Sequence, residues 1–519
     1  MNMAGPERFG GGQARMLDPT AAYQAELDAA RNDLHAEKSE LEQLLAPIHE
    51  TEIARQHVPG LLKQAYSRLS HLRASLAGPA RLTSEAAEIT ALVKCAEDAL
   101  HTGEGFSLEE ADRAFEAASR RCLALGNEPE VAARMRAGQA RIAALRQDYR
   151  RAAELFAQAA ATPGLEAPSQ WQYQKERASV LEDLGREFGD NAALEQAIKL
   201  YETTILALAP RTERPDDWAT AQNNLGNALG VLGQRQRGTR MLERSITAFE
   251  NALSERSRDR LPLDWAATQN NLGNALGILA QRQGDTEMLE KAIEAFESAL
   301  EIRTQEKTPQ DWATTQNNLG AALLTLGQRK KDTKILKKSV DAYKNVLQEW
   351  TRERVPLEWA MTLNNLGTAL RAIGEHRKGP RTLEQAVAAY RSALAERGRE
   401  RVPRDWAMTQ NNLGAALQKL GERQGDSRIL AEAVAAYENA LEEWTRERMP
   451  MVWAMTMANL GVARRTLAEQ AQDVEVSRRA VADLKAAAEV FHDASHAQYY
   501  ELAEEQLAKA RAVAAGLSG

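Results

Sequence analysis

The sequence predicts an all-α fold, a solenoid of stacked helical hairpins preceded by an N-terminal helical segment. Three observations predict it. Trp218, Trp265, Trp312, Trp359, Trp406 and Trp453 stand 47 residues apart, and Trp171 lies 47 before the first. The phrases they open, "DWATAQNNLGNALGVLGQR" at Asp217 and "DWATTQNNLGAALLTLGQR" at Asp311 among them, are near copies, and such a period marks a repeat architecture. Charged residues make up 27% of the chain and aromatics 5%, a balance that suits helices over sheets. Within each copy the apolar residues recur at the 3–4 spacing of one helix face. At 519 residues the chain is also too long for one compact core.

Residues 1–16 read as a disordered leader without an apolar signal core. In 17–104, Leu27, Leu34, Leu41 and Ile48 recur every seven residues. This weak coiled-coil pattern would pair two copies of the chain or fold back on the solenoid. Pro47 and Pro59 interrupt it, and helices near 61–76 and 84–101 begin the stack. Residues 105–169 hold shorter, less regular hairpins, and 170–493 hold seven 47-residue copies. The copy at Trp171 is one residue short in its first helix, and the missing residue is expected back in its last loop. Residues 494–519, "HAQYYELAEEQLAKARAVAAG" within them, have first-helix spacing with no second helix to follow, as a capping helix would.

The copy at Trp265 shows the logic of one unit. Pro262 suits a first helical turn, where its missing N–H costs nothing, and Asp264 favours the positive helix end. Trp265, Thr268, Leu272, Ala275, Leu276 and Leu279 share a face to about Arg282. Gly284 and Asp285 make a turn and a cap. Leu289, Ala292, Ile293, Phe296, Ala299 and Leu300 then form a second seam that ends near Arg303. A lone hairpin cannot bury two such seams, whereas stacked copies can.

Leu272-Gly273, Ala292, Phe296, Ala299 and Pro309 resemble the signature of the tetratricopeptide repeat. The usual unit is about 34 residues, so this one is enlarged by about 13. Enlarged units of this kind resemble those of kinesin light chains and of bacterial signalling or defence repeat proteins. Segment 133–166, with Ala140, Asp148-Tyr149, Ala152, Phe156 and Ala159, resembles a copy of near-standard length, and Ala111, Phe115 and Ala118 resemble a degenerate second helix. The resemblance implies a right-handed superhelix whose first helices line a concave groove that holds a protein or peptide partner. It implies a non-enzymatic scaffold, and such scaffolds serve many partners.

On a helical wheel Asn270 points away from the apolar seam and Asn271 lies at its boundary. With the resemblance, Asn223, Asn270, Asn317, Asn364 and Asn411 are expected to project into the groove. Asn224, Asn271, Asn318, Asn365, Asn412 and Asn459 are expected where repeats meet, with peptide contact implied by related repeats. An amide donates and accepts, so it can hold an extended backbone without reading side chains. The alternative is that the amides bond to neighbouring helices and space the stack. Gly226, Gly273, Gly320, Gly367, Gly414 and Gly461 recur inside helices despite a cost of about 1 kcal/mol each, which points to close helix approach. The tryptophans are expected in the core, between each first helix and the preceding loop.

Groove positions change along the chain, from Asn227, Gly230, Asn274 and Gly277 to Arg371, Lys419 and Arg465. That basic half would favour an acidic segment or a C-terminal carboxylate. The lysine clamp of chaperone-tail binders is not expected, since by the resemblance Asn223 and Asn270 stand where it needs lysines. Basic loops such as "RSRDR" at 256–260 and "RGRER" at 397–401 form one column, and "QRQR" at 234–237 and "QRKK" at 328–331 another. With a net charge of −7, ion pairing between repeats is favoured over a nucleic-acid platform. Self-assembly through the N-terminal helices remains an alternative. No phosphate loop, HExxH or dinucleotide motif occurs, so no cofactor, metal or catalysis is expected. His492 and His496 lack a third ligand, and no apolar run approaches the ~20 residues of a membrane span. Cys95 and Cys122 are the only cysteines, consistent with a reducing cytoplasm.

Overall fold

The computed structural model describes residues 108–125 and 129–518. The expected leader, the heptads of 17–76 and the helices near 61–76 and 84–101 lie outside the described residues. Among those described, every regular element is a helix, and each helix packs chiefly on its neighbours in sequence. The described chain forms two compact units, one ending at Ile302 and one beginning at Arg303.

The first unit holds α1 (Leu108–Leu125), α2 (Pro129–Leu145), α3 (Tyr149–Ala160), α4 (Ala167–Phe188), α5 (Asn191–Leu200), α6 (Pro215–Arg235), α7 (Arg240–Glu255), α8 (Pro262–Gln283) and α9 (Thr286–Leu300). The second holds α10 (Pro309–Lys330), α11 (Thr333–Glu349), α12 (Pro356–His376), α13 (Arg381–Glu396), α14 (Pro403–Gln424), α15 (Ser427–Ala440), α16 (Pro450–Ala471), α17 (Val474–Asp493) and α18 (Ala497–Ser518). Each enlarged copy is thus a first helix opened by proline and an antiparallel second helix. Asp285, Asp332, Asp426 and Asp473 accept backbone N–H bonds at the starts of α9, α11, α15 and α17, which satisfies donors the helix cannot. Gly284 closes α8 with φ of 75°, a conformation that favours glycine. The second helix α9 stops at Leu300, short of the expected Arg303, because Arg303 turns inward and is buried.

The recurring glycines are sites of close approach. A Cβ on Gly226, Gly273, Gly320, Gly367, Gly414 or Gly461 would meet Phe249, Phe296, Tyr343, Tyr390, Tyr437 or Leu484 at 2.6 to 3.0 Å. In five of these hairpins an aromatic ring of the second helix lies flush on the first helix, and in the one formed by α16 and α17 the Leu484 side chain takes its place.

The tryptophans differ from expectation. Trp218, Trp265, Trp312, Trp359, Trp406 and Trp453 are only half-buried. They stand in the first helical turn, at the rim of the core. Arg211, Arg352, Arg399 and Arg446 of the preceding loops lie over the rings of Trp218, Trp359, Trp406 and Trp453 at 5.0 to 5.9 Å, where the ring quadrupole attracts a cation.

The copy at Trp171 also differs. Leu194 fills the space against Gly185 as Leu242 does against Gly233, 48 residues on, so α4 is one residue short. The residue returns inside the second helix, not in the loop. Tyr201–Ile205 form a π-helical turn that continues α5 before a last stretch at Leu206–Leu208. Past it, the fully buried Ile205 and Ala252 are again 47 apart. In the second unit α18 buries Ala503, Leu507 and Ala510 against α17 and α16.

Candidate functional site

The asparagines form ladders, and the two columns are exchanged relative to the wheel. In the expected groove column Asn223 and Asn411 are 9% exposed, Asn270 7% and Asn364 3%, with Asn317 half-buried. In the expected boundary column Asn224, Asn271, Asn318, Asn365 and Asn412 are half-buried, and only Asn459 is buried. The wheel assumes one packed side per helix. In a stack a first helix packs on its own second helix and on the first helix of the next repeat, and that second contact covers Asn223. Its Oδ1 accepts from Asn271 Nδ2 at 3.3 Å and lies 3.2 Å from Thr268 Oγ1.

In the first unit the amides run head to tail. Asn270 donates to Asn271 (3.4 Å), Asn271 to Asn223, Asn223 to Asn224 (3.2 Å) and Asn224 to Tyr201. Tyr201 Oη ends the chain by donating to Glu182 Oε1 at 2.8 Å. Burial pushes the Glu182 carboxyl up to about 7, against the Tyr201 hydrogen bond and the nearby Arg186, while Asp183 raises it further. In the second unit Asn411 donates to Asn412 (3.3 Å), Asn412 to Asn364 (3.0 Å) and Asn364 to Asn365 (3.3 Å). Buried amides bonded in this way fix the register of neighbouring repeats.

The half-buried column opens onto a cleft between α6 and α8. Asn227, Gly230, Asn271 and Asn274 line it, with Gly226, Ser245 and Phe249 beneath and Arg186 at the edge, around a volume of about 270 Å³. Asn227 and Asn274 are half-buried and make no hydrogen bond to the described residues. Their amides are therefore available to an incoming group.

The basic positions of the second unit are already engaged. Arg371 pairs with Glu375 and bonds to Tyr390. Burial opposes its charge, but Tyr390 and Glu375 outweigh that and hold its pKa above the ordinary value. Lys419 pairs with Glu422 at 2.7 Å and Arg465 with Glu469 at 3.0 Å. The loop arginines are engaged too. Arg211 reaches Glu255 at 2.6 Å and Arg352 reaches Glu396 at 2.6 Å, each at the end of the next repeat's second helix, and Arg399 reaches Glu443, just past α15, at 2.5 Å. Arg282 donates to Gly238 O and Gln234 O, and Arg423 to Gly379 O and Glu375 O.

One column escaped sequence reading. Arg256, Arg303 and Arg397, of which the first and last read as loop charges and Arg303 as the end of a second helix, are 5%, 8% and 2% exposed. They donate to the buried Thr268, Thr315 and Thr409 hydroxyls at 2.8, 3.1 and 2.9 Å. Burial lowers all three guanidinium pKa values, partly offset by Asp264 and Asp216, by Asp311 and by Asp405. The signal was in the beat: the same position carries Trp350 and Trp444, also buried. A slot that takes guanidinium or indole is a flat interior slot, not a solvated loop.

Among the described residues no cluster of His, Cys, Asp or Glu could hold a metal, and no helix is long and apolar enough to cross a membrane. His492 and His496 lie against Tyr500 and Tyr499, at 5.4 and 5.3 Å between ring centres.

Residues 218–259, 265–305, 312–349 and 406–443 each match the family described as tetratricopeptide repeat. No curated protein matches the chain. Among solved structures it is similar to BtubC from P. vanneervenii, at 19% identity over 52% of this chain and 94% of that one, with a TM-score of 0.33. It is similar to the apo form of RapI, at 14% identity over 82% of this chain and 96% of that one, TM-score 0.42. It is also similar to the human IFIT1 dimer with PPP-AAAA, at 15% identity over 90% of this chain and 95% of that one, TM-score 0.36.

Proposed function

Taking as premise that this is a tetratricopeptide-repeat chain, we propose that it is a non-enzymatic interaction scaffold that binds an extended segment of a partner protein along its first helices. The observation that carries this reading is the cleft between α6 and α8, which the Asn227 and Asn274 amides line without a hydrogen-bond partner among the described residues. A backbone peptide group presents one donor and one acceptor, which is what an amide side chain matches. In the first unit Asn224 and Asn271 belong to this half-open column, with Asn223 and Asn270 holding the repeats in register behind them. In the second unit Asn318, Asn365 and Asn412 take the equivalent half-open positions, and Asn317, Asn364, Asn411 and Asn459 the positions behind. Arg371, Lys419 and Arg465 stand on the first helices of that second unit and offer charge to an acidic stretch once their own glutamates release them. The loop arginines favour this reading over a phosphate-backbone platform, because their guanidinium groups already bridge neighbouring repeats.

The test is affinity capture from the native cell, then hydrogen exchange on the reconstituted pair. Protection of α6 and α8 is expected, with Asn227→Ala plus Asn274→Ala weakening capture by about tenfold or more at unchanged helicity. Protection confined to other helices, or capture indifferent to both substitutions, defeats the reading.

A further inference from the structure

The first helices carry one column in which the chain plugs its own binding face. Glu182 lies over Tyr201 and accepts its hydroxyl proton at 2.8 Å. Arg371 bonds to Tyr390, and Gln418 accepts from Tyr437 at 3.1 Å. Each of these side chains crosses the aromatic ring of its own second helix, and a tyrosine supplies the hydroxyl that meets its polar head. In two consecutive copies there is no side chain at this place, only Gly230 and Gly277, and there the aromatic is Phe249 and Phe296. In these two copies hydroxyl and polar head are both missing, whereas the copy with Leu324 at this place keeps the hydroxyl of Tyr343. Gly230 forms the floor of the cleft with Ser245 and Phe249.

We infer that the recess at Gly230 is an anchor pocket for a neutral aliphatic side chain, leucine or methionine in size, from the bound segment of a partner protein. The inference deepens the peptide-binding reading above and rests on it. Charge selects the occupant. Among the described residues the only ionisable group lining the cleft is Arg186, and Glu182 and Asp183 each hold it at 3.6 Å. A charged guest would lose water and gain no counter-charge. A polar head would find Phe249 where other copies place a tyrosine. Size selects it too. A volume of about 270 Å³ takes one side chain with its backbone, not a folded element. The chain supplies its own precedent, since Leu324 stands at the equivalent position and Ser339 bonds Gly320 O there as Ser245 bonds Gly226 O. The Asn227 and Asn274 amides at the mouth are left for the backbone of the guest.

The probe is a phage-displayed library of random dodecapeptides selected on the full chain. Selected sequences should share a leucine or methionine at one position, and its replacement by alanine should weaken binding by about tenfold or more. Gly230→Leu, which copies Leu324, should abolish binding of the same peptides. Gly230→Gln with Phe249→Tyr, which copies the Gln418–Tyr437 pair, should do so as well and guards against misfolding of the first variant. Gly277→Ala, whose Cβ meets nothing within 4 Å, should bind within about twofold of the parent. Peptides that bind both filled variants as tightly as the parent, or that share an acidic or basic anchor, overturn the pocket while leaving peptide binding intact. A library that yields no enriched sequence overturns both.

Discussion

In the unit ending at Ile302, α6 and α8 present Gly230 and Gly277 where, in the unit beginning at Arg303, α12, α14 and α16 present Arg371, Gln418 and Arg465. The backbones keep one beat, and the same ring-on-glycine contact holds at α6, α8, α12 and α14, with Leu484 in place of the ring at α16. What separates the two is the presence or absence of a side chain on the outer face. In the later unit that face is filled and its charges are neutralised within each helix. In the earlier unit Glu182 fills it on α4, but on α6 and α8 it is hollow, and the Asn227 and Asn274 amides beside it have no hydrogen-bond partner among the described residues. Recognition in a repeat scaffold can therefore be set by omission, because deleting a side chain from a shared position makes a pocket without altering the stack.

Substitutions that treat the two units alike or differently can break or sharpen this comparison. The largest effect is expected at the ladders. Asn223→Ala removes the acceptor of Asn271 and should destabilise the first unit by about 2–3 kcal/mol, and Asn364→Ala should cost the second about 1–3 kcal/mol. Hydrogen exchange read helix by helix is the measurement, since repeat stacks open regionally. If neither loss appears, the ladders do not fix register. Next come the glycines. A Cβ at Gly226 would lie 2.6 Å from Phe249, whereas one at Gly414 would lie 3.0 Å from Tyr437. Gly226→Ala should cost about 1–2 kcal/mol after its helix-propensity gain, and Gly414→Ala should be closer to neutral. Equal melting shifts would remove the difference in approach.

A smaller effect of opposite sign belongs to Glu182. Its carboxyl stands at about 7 in the fold against 4.5 ordinarily. A raised carboxyl favours the folded chain below pH 4.5, and that contribution disappears as pH rises through 7. Glu182→Gln keeps an acceptor for Tyr201, as Gln418 does for Tyr437. It should stabilise the first unit by roughly 1–2 kcal/mol at pH 8 and leave it unchanged at pH 4. A gain of equal size at both pH values would place the effect in packing. The smallest effect is Arg352→Ala. Its exposed ion pair with Glu396 should contribute under about 1 kcal/mol and fade with salt.

The periodicity of Leu272, Leu276, Leu279 and Phe296 carried the hairpin, and Gly273 correctly announced a close approach. Both are legible because they are properties of one helix and its partner. The asparagines were misplaced because a wheel drawn for one helix cannot know which side the next repeat covers. The buried Arg256 and Arg397 were taken for loop charges because a triplet such as "RSR" gives no sign of which guanidinium turns inward, and Arg303 was taken only for a helix end. Gly230 drew notice as a small residue, but its meaning needed the facing pairs Gln418–Tyr437 and Arg371–Tyr390, which lie 19 residues apart in the chain.

The π turn at Tyr201–Ile205 bears on how such a chain tolerates change. A deleted residue turns the rest of its own helix by about 100° around the axis, enough to swing a later asparagine of that helix off its rung. Here the residue missing from α4 is regained at the π turn after α5, so the 47-residue count is restored inside one hairpin and the irregularity stays where it arose. Length changes made up within a hairpin, or that add and remove whole hairpins, leave the later repeats in phase. An uncompensated single-residue change inside a first helix should displace that helix's own rung.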